Sequence, residues 1–484
     1  MAKASSAYVC QSCGARSRQF FGRCASCGSW NTLVEQLDTG SDRRRRRPVA
    51  AAGGGGADGA PAAGRPRHSE PIQAVGERPL QRLASGYDEL DRVLGGGLVP
   101  GSLVLLGGDP GIGKSTLLLQ SARAMAERLS VLYVSAEESA QQVKLRWRRL
   151  AEVAGGAGAE GSTGLQLLAE TDLELVLQEL ESLRPAVAII DSIQALHDAE
   201  LGSTPGSVAQ VRECAAALAR IAKRQETALV LVGHVTKEGL LAGPKVLEHL
   251  VDAVLTFEGD RFASHRLLRA VKNRFGATHE LGVFEMRGQG LAEVSNPSEL
   301  FLAAEGPSPG AATIVACEGT RPLVVELQAL VSPTSYASPR RTATGIGTNR
   351  LHQILAVLEK HMGLPLSRFD CYLAVAGGLE VEEPAADLGV AAAVVASHRD
   401  LTLPAGTVLV GELGLGGQLR PVAQLELRLQ EAARLGFHRA VLPRGSGLGQ
   451  AAAALGLQLL EAGSVAEAMV LALGSGAEDG DRRS

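Results

Sequence analysis

The sequence predicts an α/β protein of several domains, and three features of the chain support this fold class. Between residues 76 and 296, apolar runs such as SLVLLGG, SVLYVSAEE and AVAIIDS alternate with helix-like segments, which indicates a largely parallel central sheet. A glycine-rich loop of the phosphate-binding type follows the first of these runs. The third feature is length, because 484 residues are too many for one hydrophobic core.

The composition is that of a soluble globular protein, with 45% hydrophobic and 21% charged residues. The net charge of −4 excludes a global basic field that attracts nucleic acid, so any such contact needs a local patch. No apolar run approaches the roughly 20 residues that span a bilayer, and the first residues, MAKASSAYVC, lack the apolar core of a secretion signal. We therefore expect a cytoplasmic protein with no membrane partner.

Changes in composition divide the chain into five parts. Both long parts alternate short apolar strands with helix-like segments, whereas the stretch that precedes them is rich in Gly, Ala, Pro and Arg. Its arginine run at 43–47 is typical of a solvated linker, with phosphate binding as the alternative. The predicted parts are a four-cysteine module at 1–36, a flexible linker at 37–75, a first α/β domain at 76–296, a second at 297–474 and a disordered tail at 475–484.

Four of the seven cysteines form two CxxC pairs, first Cys10 and Cys13, then Cys24 and Cys27. This spacing lets four thiolates close a tetrahedron around Zn²⁺ and leaves no coordination position for water. A module this small has almost no core, so metal binding would supply its folding energy. The sequence therefore predicts a structural zinc site, and the alternative is four unligated thiols.

The segment GDPGIGKST matches the phosphate-binding consensus G-x4-G-K-[ST] and lies between a strand-like and a helix-like segment. Glycines let backbone N–H groups curl around phosphates at a helix N-terminus. The consensus assigns Lys114 to the β- and γ-phosphates of ATP and Ser115 to Mg²⁺. The predicted nucleotide-binding residues are Gly108, Asp109, Pro110, Gly111, Ile112, Gly113, Lys114, Ser115 and Thr116.

Polar residues at the ends of three other strands are candidates for the chemistry. Asp191 ends AVAIID, where an aspartate can orient magnesium, and Ser192 follows it. Glu137 and Glu138 follow the strand before; either could polarise the attacking water, or both could simply cap the next helix. His234 follows ALVLVG and could sense the γ-phosphate, although a histidine at a strand end is more often structural.

Longer motifs make the chain similar to a known family. It resembles the bacterial RadA (Sms) DNA repair proteins in LASGYDELDRVLGGGLVPGSLVLLGGDPGIGKSTLLLQ, VLYVSAEES, IIDSIQ, GHVTKEGLLAGPKVLEHLVD and KNRFG, and in the four-cysteine module. The resemblance implies a RecA-like P-loop ATPase that forms hexameric rings similar to DnaB-type helicases and promotes branch migration of recombination intermediates. The implied partners are single-stranded and branched DNA and a RecA-type recombinase, in repair under stress.

Carried over position by position, the resemblance assigns roles to the strand-end residues. Glu137 corresponds to the catalytic glutamate, Asp191 to the Walker B aspartate and His234 to a nucleotide sensor. The DNA-facing loops of the family correspond to residues near 198–207 and to 236–245, which carries Lys237 and Lys245.

The motif KNRFG at 272–276 is specific to this family when it occurs with the cysteine module. In ring ATPases of this type, a lysine and an arginine of one subunit neutralise charge on the γ-phosphoryl group of ATP in the neighbouring subunit. Lys272 and Arg274 are two apart on an extended chain, so both side chains point the same way and Asn273 points the other way. The resemblance also connects the motif with DNA binding and motor movement, so the role of each residue stays open.

The second α/β domain resembles the protease domain of Lon in EEPAADLGVAAAVVAS and VLVGELGLGGQLRPVAQLELRLQEAARLGFHRAVLP. Lon uses a serine nucleophile and a lysine base. This chain has Asp387-Leu388-Gly389 at the serine position, or Ala386 with a shift of one, and Ala423–Arg428 at the lysine position; a carboxylate cannot replace an amine base. The resemblance implies a Lon-protease-like scaffold without peptidase activity that organises the ring. Candidates to line a DNA path are Arg420, Arg428 and Arg434.

Three classes of function remain in competition at this point. The motifs favour an ATP-driven DNA motor in recombinational repair. The second class is an ATP-dependent protease, against which the lost serine and lysine argue. The third is a nucleotide-switched scaffold like the RecA-type clock ATPases, which would bind ATP without translocation. Stimulation of ATP hydrolysis by DNA distinguishes the first class from the third.

Overall fold

The structure is a computed structural model, and contacts between its residues divide the chain into two compact units. The described residues are 6–10, 15–17, 19, 21–26, 28, 30, 32–37, 81–153, 164–234, 247–259, 264–302, 308–336, 338–448 and 455–474. Several sequence predictions lie outside them: Cys13, Cys27, the linker after residue 37, the loop at 236–245 and the tail at 475–484. Unit one comprises Met1–Arg266, Ala270–Gly276 and Met286–Leu291, and unit two comprises Leu267–Arg269, Ala277–Glu285 and Ala292–Ser484.

A small antiparallel sheet forms the N-terminal part of unit one. Its strands are β1 (Ser6–Cys10), β2 (Arg16–Ser17) and β3 (Leu33–Leu37), in the order β2-β1-β3. Among the residues described in this part, Cys10, Cys24 and Leu33 are buried and pack as one cluster. A cluster of this size buries little apolar surface, so the module needs another source of stability.

The region from 103 to 293 contains a nine-stranded sheet in the order β12-β11-β10-β9-β4-β8-β7-β5-β6. Its strands are β4 (Leu103–Gly108), β5 (Val131–Ser135), β6 (Leu165–Ala169), β7 (Val187–Asp191), β8 (Ala228–Val232), β9 (Ala253–Glu258), β10 (His265–Asn273), β11 (Leu281–Arg287) and β12 (Gly290–Glu293). The pairings from β9 across to β6 are parallel. Strands β4, β5, β7 and β8 are buried along their whole length, which explains their apolar sequences. The predicted parallel sheet is confirmed.

The ends of the helices around this sheet follow local sequence signals. The described helices are α1 (Asp88–Leu94), α2 (Lys114–Met125), α3 (Ala140–Val153), α4 (Leu173–Leu183) and α5 (Val208–Gln225). Gly95 ends α1 in the left-handed conformation, with φ at 83°. Asp172 and Ser207 cap α4 and α5, because their side chains accept hydrogen bonds from backbone N–H groups of the first turn. No helix within these described ranges has the length and apolar character of a bilayer span.

The parallel strands bring four chain segments to one edge of the sheet. β4 leads into the glycine-rich loop and β7 ends at Asp191, while β5 and β8 end just before Glu137 and His234. Because β8 lies between β4 and β7, the loop and Asp191 extend from strands that are not adjacent. Ligands of open α/β sheets bind at this carboxyl edge, so the fold collects the predicted residues where a nucleotide would lie.

Unit two contains a mixed seven-stranded sheet in the order β15-β16-β14-β13-β17-β20-β21 and a separate pair, β18-β19. The strands are β13 (Ala311–Glu318), β14 (Arg321–Pro333), β15 (Arg341–Thr344), β16 (Phe369–Val375), β17 (Thr407–Leu409), β18 (Glu412–Leu413), β19 (Leu419–Arg420), β20 (Arg439–Pro443) and β21 (Gln458–Ala462). The described helices of eight or more residues are α6 (Thr348–Met362), α7 (Asp387–Arg399), α8 (Leu425–Arg434) and α9 (Val465–Leu473). β14 pairs antiparallel with β13 and β16, and the strands from β13 through β17 and β20 to β21 pair in parallel.

Helix α7 lies in the core of unit two. All residues from Asp387 to Ala396 are buried. Its central sequence, LGVAAAVVA, is apolar on every side, as expected for a helix that is covered all round. Gly389 permits a close approach to the sheet, because a Cβ there would lie 2.1 Å from Cγ2 of Ile314 on β13.

Asp387, the residue predicted to stand where Lon has its serine, forms an ion pair. Asp387 is 2% exposed, and its two oxygens accept hydrogen bonds from Arg350 Nε at 2.7 Å and from the backbone N–H of Leu413 at 2.9 Å. Burial raises the pKa of Asp387, although Arg350 and the N–H act in the opposite direction. Asp387 is therefore buried and paired within the core, whereas a nucleophile would have to be accessible to its substrate.

The prediction that Arg428 lines a DNA path is wrong. Its side chain is 2% exposed, and the guanidinium donates to both carboxylate oxygens of Glu383 and to the carbonyl oxygen of Val315. Its Nε also donates to the carbonyl oxygen of Ala423. The charge can be buried on α8 because Glu383 neutralises it and these four acceptors satisfy its donors. Arg420 and Arg434 are 56% and 54% exposed, and their contact with DNA stays a prediction.

Arg428→Ala should lower the free energy of unfolding by about 3 kcal/mol or more, because it leaves the Glu383 carboxylate largely buried without its partner. Urea denaturation followed by circular dichroism measures the loss. The matched control is Arg224→Ala, which breaks a pair with Glu181 in which both side chains are exposed, and it should cost at most about 1 kcal/mol. Equal losses in the free energy of unfolding of the two variants would contradict the argument that burial makes the Arg428 pair important for stability.

Candidate ATP-binding site and metal module

The glycine-rich loop runs from the end of β4 to the start of α2. Gly113, the N-cap of α2, makes no side-chain hydrogen bond, so the first N–H groups of the helix are left for a ligand. Gly108 and Gly113 have φ values of 150° and 119°, in the left-handed region. A Cβ on Gly108 would lie 2.5 Å from the carbonyl oxygen of Phe257, and a Cβ on Gly113 would lie 2.8 Å from Cε of Met286. Close packing thus requires both glycines.

Lys114 places a buried ammonium group at the centre of the loop. Lys114 is 3% exposed, and its Nζ donates to the carbonyl oxygens of Gly108 at 2.8 Å and Asp109 at 2.9 Å. Burial lowers the pKa of Lys114, while the charges of Asp191, Glu137 and Asp109 act to raise it. A buried cation that is held by two carbonyl oxygens is preorganised to receive phosphate.

Oxygen atoms suited to Mg²⁺ lie at the same edge of the sheet. Asp191 is 9% exposed, and its Oδ2 accepts a hydrogen bond from the hydroxyl of Tyr133 at 2.6 Å. Its Oδ1 has no hydrogen-bond partner among the described residues. The hydroxyl of Ser115, which is half-buried in the first turn of α2, likewise has no hydrogen-bond partner within the described ranges. Carboxylate and hydroxyl oxygens are the donors that Mg²⁺ prefers, so both residues fit the ion.

Glu137 forms a hydrogen-bonded group with Ser192 and His234. Its Oε1 accepts from the Ser192 hydroxyl and lies 3.1 Å from Nε2 of His234. The hydrogen bond to His234, helped by Ser192 and by the charge of Lys114, lowers the pKa of Glu137 to about 2 against the opposing effect of burial. The side chain is 45% exposed, so an ionised carboxylate faces the space beside the loop.

The neighbouring carboxylate has a different partner. Glu138 forms an ion pair with Arg146 of α3, and the Ser135 hydroxyl donates to its backbone carbonyl oxygen. The structure therefore brings Lys114 and Glu137 together electrostatically and ties Glu138 to a helix. Of the two glutamates, this geometry favours Glu137 for contact with a nucleotide.

The KNRFG motif ends β10 and has partners within its own chain. Lys272 donates to two carbonyl oxygens of the turn at 248–251, and Arg274 Nη1 donates to Oδ1 of Asp252 at 3.0 Å. Asn273 instead donates to a carbonyl oxygen of α1, in agreement with the predicted alternation of side chains. Arg274 is 55% exposed. In the described parts of the chain, neither basic side chain hydrogen-bonds to the glycine-rich loop.

Only the first of the two predicted DNA-facing loops lies within the described residues. The segment 198–207 carries Asp198 and Glu200 but no lysine or arginine. The buried amide of Gln210 fixes it by donating to the carbonyl oxygens of Asp198 and Ser203, both at 3.0 Å. Any phosphate contact from this segment would therefore use backbone N–H and hydroxyl groups, and the role of the loop stays a prediction.

Cys10 and Cys24 are the predicted zinc ligands that the structure describes, and they are 0% and 3% exposed. The chain turns after each of them: the N–H of Cys10 donates to the carbonyl oxygen of Ala15, and the N–H of Gly28 donates to that of Cys24, both at 2.9 Å. Two buried thiols at the starts of such turns fit the soft donor set that binds Zn²⁺.

One zinc ion per chain is expected, and Cys24→Ala should remove it and unfold the N-terminal module alone. Elemental analysis of the freshly purified protein measures the metal, and limited proteolysis locates the unfolded part. Cys214→Ala is the matched control, because Cys214 is a buried cysteine of α5 outside the module and its loss should leave the zinc content unchanged. A freshly purified chain with no zinc would overturn the prediction.

The sheet order, the glycine-rich loop and the carboxylates gathered at one edge define a RecA-like P-loop ATPase that also carries a metal-binding ribbon. An AAA domain matches residues 77–240, and a rubredoxin metal binding domain matches residues 8–35. The chain is 55% identical to "DNA repair protein RadA" of Synechocystis sp., over 98% of this chain and 95% of that protein. It is 45% identical to the Bacillus subtilis protein of the same name, over 98% of this chain and 100% of that protein. It belongs to the RadA family of DNA repair proteins, as the motifs predict.

Among solved structures, the RadB recombinase is similar at 23% sequence identity and a TM-score of 0.36. The match covers 44% of this chain and 100% of that chain.

Proposed function

We propose that this protein is a DNA-stimulated ATPase of recombinational repair, which works as a homohexameric motor in branch migration. One observation carries the proposal: Lys114, Asp191 and Glu137 meet at the carboxyl edge of one sheet, in a chain of the RadA family. The partners are single-stranded and branched DNA and a RecA-type recombinase, in the cytoplasm.

Each residue at this edge has a distinct task in the proposed reaction. The N–H groups at the start of α2 and the Lys114 ammonium bind the β- and γ-phosphates of ATP. Asp191 and Ser115 hold Mg²⁺, which when bound neutralises charge on the phosphate oxygens. Glu137 orients the attacking water. With a pKa of about 2 it is a weak base, so positioning and polarisation of the water outweigh full proton abstraction.

His234 and the KNRFG motif complete the proposed cycle. His234 and Ser192 both hydrogen-bond to the same oxygen of Glu137. A change at the γ-phosphate that displaces Glu137 therefore also displaces His234, which follows β8. Arg274, which is more than half exposed, acts on the ATP of a neighbouring subunit together with Lys272. For that action both residues exchange their present partners, Asp252 and the turn at 248–251, for phosphate oxygens.

The proposed roles of the remaining parts are structural. Unit two is a Lon-protease-like scaffold without peptidase activity, a role supported by the ion pair of Asp387 with Arg350 at the serine position. The module at 1–36 binds Zn²⁺ through Cys10, Cys13, Cys24 and Cys27 and contacts DNA or a neighbouring domain.

The test compares ATP hydrolysis with and without single-stranded DNA, beside a strand-displacement assay on branched DNA. Hydrolysis should rise severalfold with DNA, and Lys114→Ala protein gives the background of contaminating ATPases. Equal hydrolysis without DNA would favour a nucleotide-switched scaffold. Degradation of casein in the presence of ATP would instead favour an ATP-dependent protease.

A further inference from the structure

Tyr133 is a fully buried polar residue beside the candidate ATP site, and the proposed chemistry does not yet use it. It lies on β5 and is 1% exposed. Its hydroxyl donates to Oδ2 of Asp191 across a separation of 58 positions, at 2.6 Å. A buried tyrosine hydroxyl needs a partner, but a neutral carbonyl would serve as well as a carboxylate of the site.

The strand register explains why this tyrosine reaches that carboxylate. β5 and β7 are parallel neighbours, with Tyr133 beside Ile189 and Ser135 beside Asp191. Tyr133 and Asp191 are therefore two positions apart along one face, and the length of the phenol ring spans this offset. The backbone of β7 and the ring of Tyr133 together leave the carboxylate few orientations.

The hydrogen bond makes the two oxygens of Asp191 unequal. Oδ2 is occupied by the phenol, whereas Oδ1 has no hydrogen-bond partner in the described ranges. A carboxylate that is fixed by one oxygen presents the other in one direction, and outer contacts of this kind commonly orient metal-binding groups.

We infer that Tyr133 is a positioning residue, which holds Asp191 through Oδ2 so that Oδ1 is directed at the Mg²⁺ that accompanies ATP. This inference deepens the proposed function and rests on it for the identity of the nucleotide. Tyr133 itself touches neither metal nor phosphate in this assignment, and it acts through Asp191 alone.

The experiment uses the full chain with Mn²⁺ as the metal probe and a non-hydrolysable ATP analogue. Tyr133→Phe keeps the buried ring and removes only the hydroxyl. Electron paramagnetic resonance measures the dissociation constant for Mn²⁺, which should rise about 10-fold. Tyr87→Phe is the matched control, because it removes a hydroxyl that pairs with Gln120 Nε2 at 3.0 Å, and its Mn²⁺ affinity should match that of the unchanged chain.

A double-mutant cycle separates positioning from general packing. In an Asp191→Asn background, Tyr133→Phe should change Mn²⁺ affinity by less than about 2-fold, because the group through which Tyr133 acts is already altered. An equal effect of Tyr133→Phe with and without Asp191 would overturn the inference, as would unchanged Mn²⁺ affinity or a failure of Tyr133→Phe to fold.

The Mn²⁺-binding test of Tyr133 and the ATPase test of the proposed function can fail separately. If the unchanged protein bound Mn²⁺ with the analogue but hydrolysed no ATP, the proposed ATPase would fail and the positioning role could still be supported. If it hydrolysed ATP with DNA stimulation and Tyr133→Phe kept its Mn²⁺ affinity, only the positioning role would fail.

Discussion

Glu137→Gln protein should hydrolyse ATP at least about 10²-fold more slowly than the unchanged chain and still bind the nucleotide. Glutamine keeps the size of the side chain but loses the negative charge that orients and polarises the attacking water. The phosphate contacts from the start of α2 and from Lys114 remain, so affinity should change little. Phosphate release measures the rate, and a fluorescent ATP analogue measures the dissociation constant.

The adjacent residue supplies the matched control. Glu138→Gln removes a carboxylate that is paired with Arg146 on α3, so hydrolysis should stay within a few-fold of the unchanged rate. If Glu138→Gln abolished hydrolysis and Glu137→Gln did not, the assignment of the two residues would be reversed. Because the pKa of Glu137 is about 2, this carboxylate stays ionised above about pH 4, and its protonation should contribute no loss of rate there.

Mixing Arg274→Ala subunits with Lys114→Ala subunits should restore ATP hydrolysis that neither variant supports alone. An Arg274→Ala subunit keeps its own phosphate-binding loop, and a Lys114→Ala subunit keeps its arginine. Some interfaces in a mixed ring therefore combine an intact loop with an intact arginine. Loss of an arginine that acts on the transition state costs about 10³-fold or more in rate, so the recovered hydrolysis should stand well above either parent.

The contacts of Arg274 within its own chain determine the controls. Its pair is Asp252, which is 8% exposed and also accepts a hydrogen bond from the N–H of Leu103 at 3.0 Å. Arg274→Ala must therefore be shown to fold and to bind ATP before its rate is interpreted. Arg274→Lys keeps the charge but not the planar fork, and it should remain slow if the arginine acts on the γ-phosphoryl group.

The rescue requires that subunits mix and that a ring does not need every site to fire in sequence. Native mass measurement shows whether mixed rings form, and single-turnover hydrolysis removes the second condition. Mixed rings without any rescue would argue against an arginine that acts between subunits. Arg274 would then be assigned to DNA binding or to packing in the ring.

The parts of the site that are local in sequence could be predicted from it. The loop at 108–116 is a run of consecutive residues, and its three glycines have positive φ values, as a tight loop requires. Lys114 donates to carbonyl oxygens of this loop, and its contact with phosphate stays a prediction. Asp191, Glu137 and His234 were identified because each follows an apolar run that forms a buried strand. The carboxyl ends of parallel strands meet at one edge, so strand ends alone predict proximity.

Contacts between distant side chains could not be predicted in the same way. Tyr133 precedes Asp191 by 58 positions, and no spacing in the sequence indicates that β5 and β7 are neighbours in the required register. The sequence makes Arg428 a candidate to line a DNA path, which would require an exposed side chain. Its burial depends on Glu383, 45 positions away, which becomes its partner only after the fold has formed.

Helix α7 has a consequence for the synthesis of the chain on the ribosome. Strands β13, β14 and β16 precede it in translation order, but β17, β20 and helix α9, which share its core, are made afterwards. Until α9 emerges, part of a largely apolar helix faces water, and exposed apolar surface of this kind favours aggregation. Nascent chains that stall between residues 400 and 465 should therefore depend most heavily on chaperones.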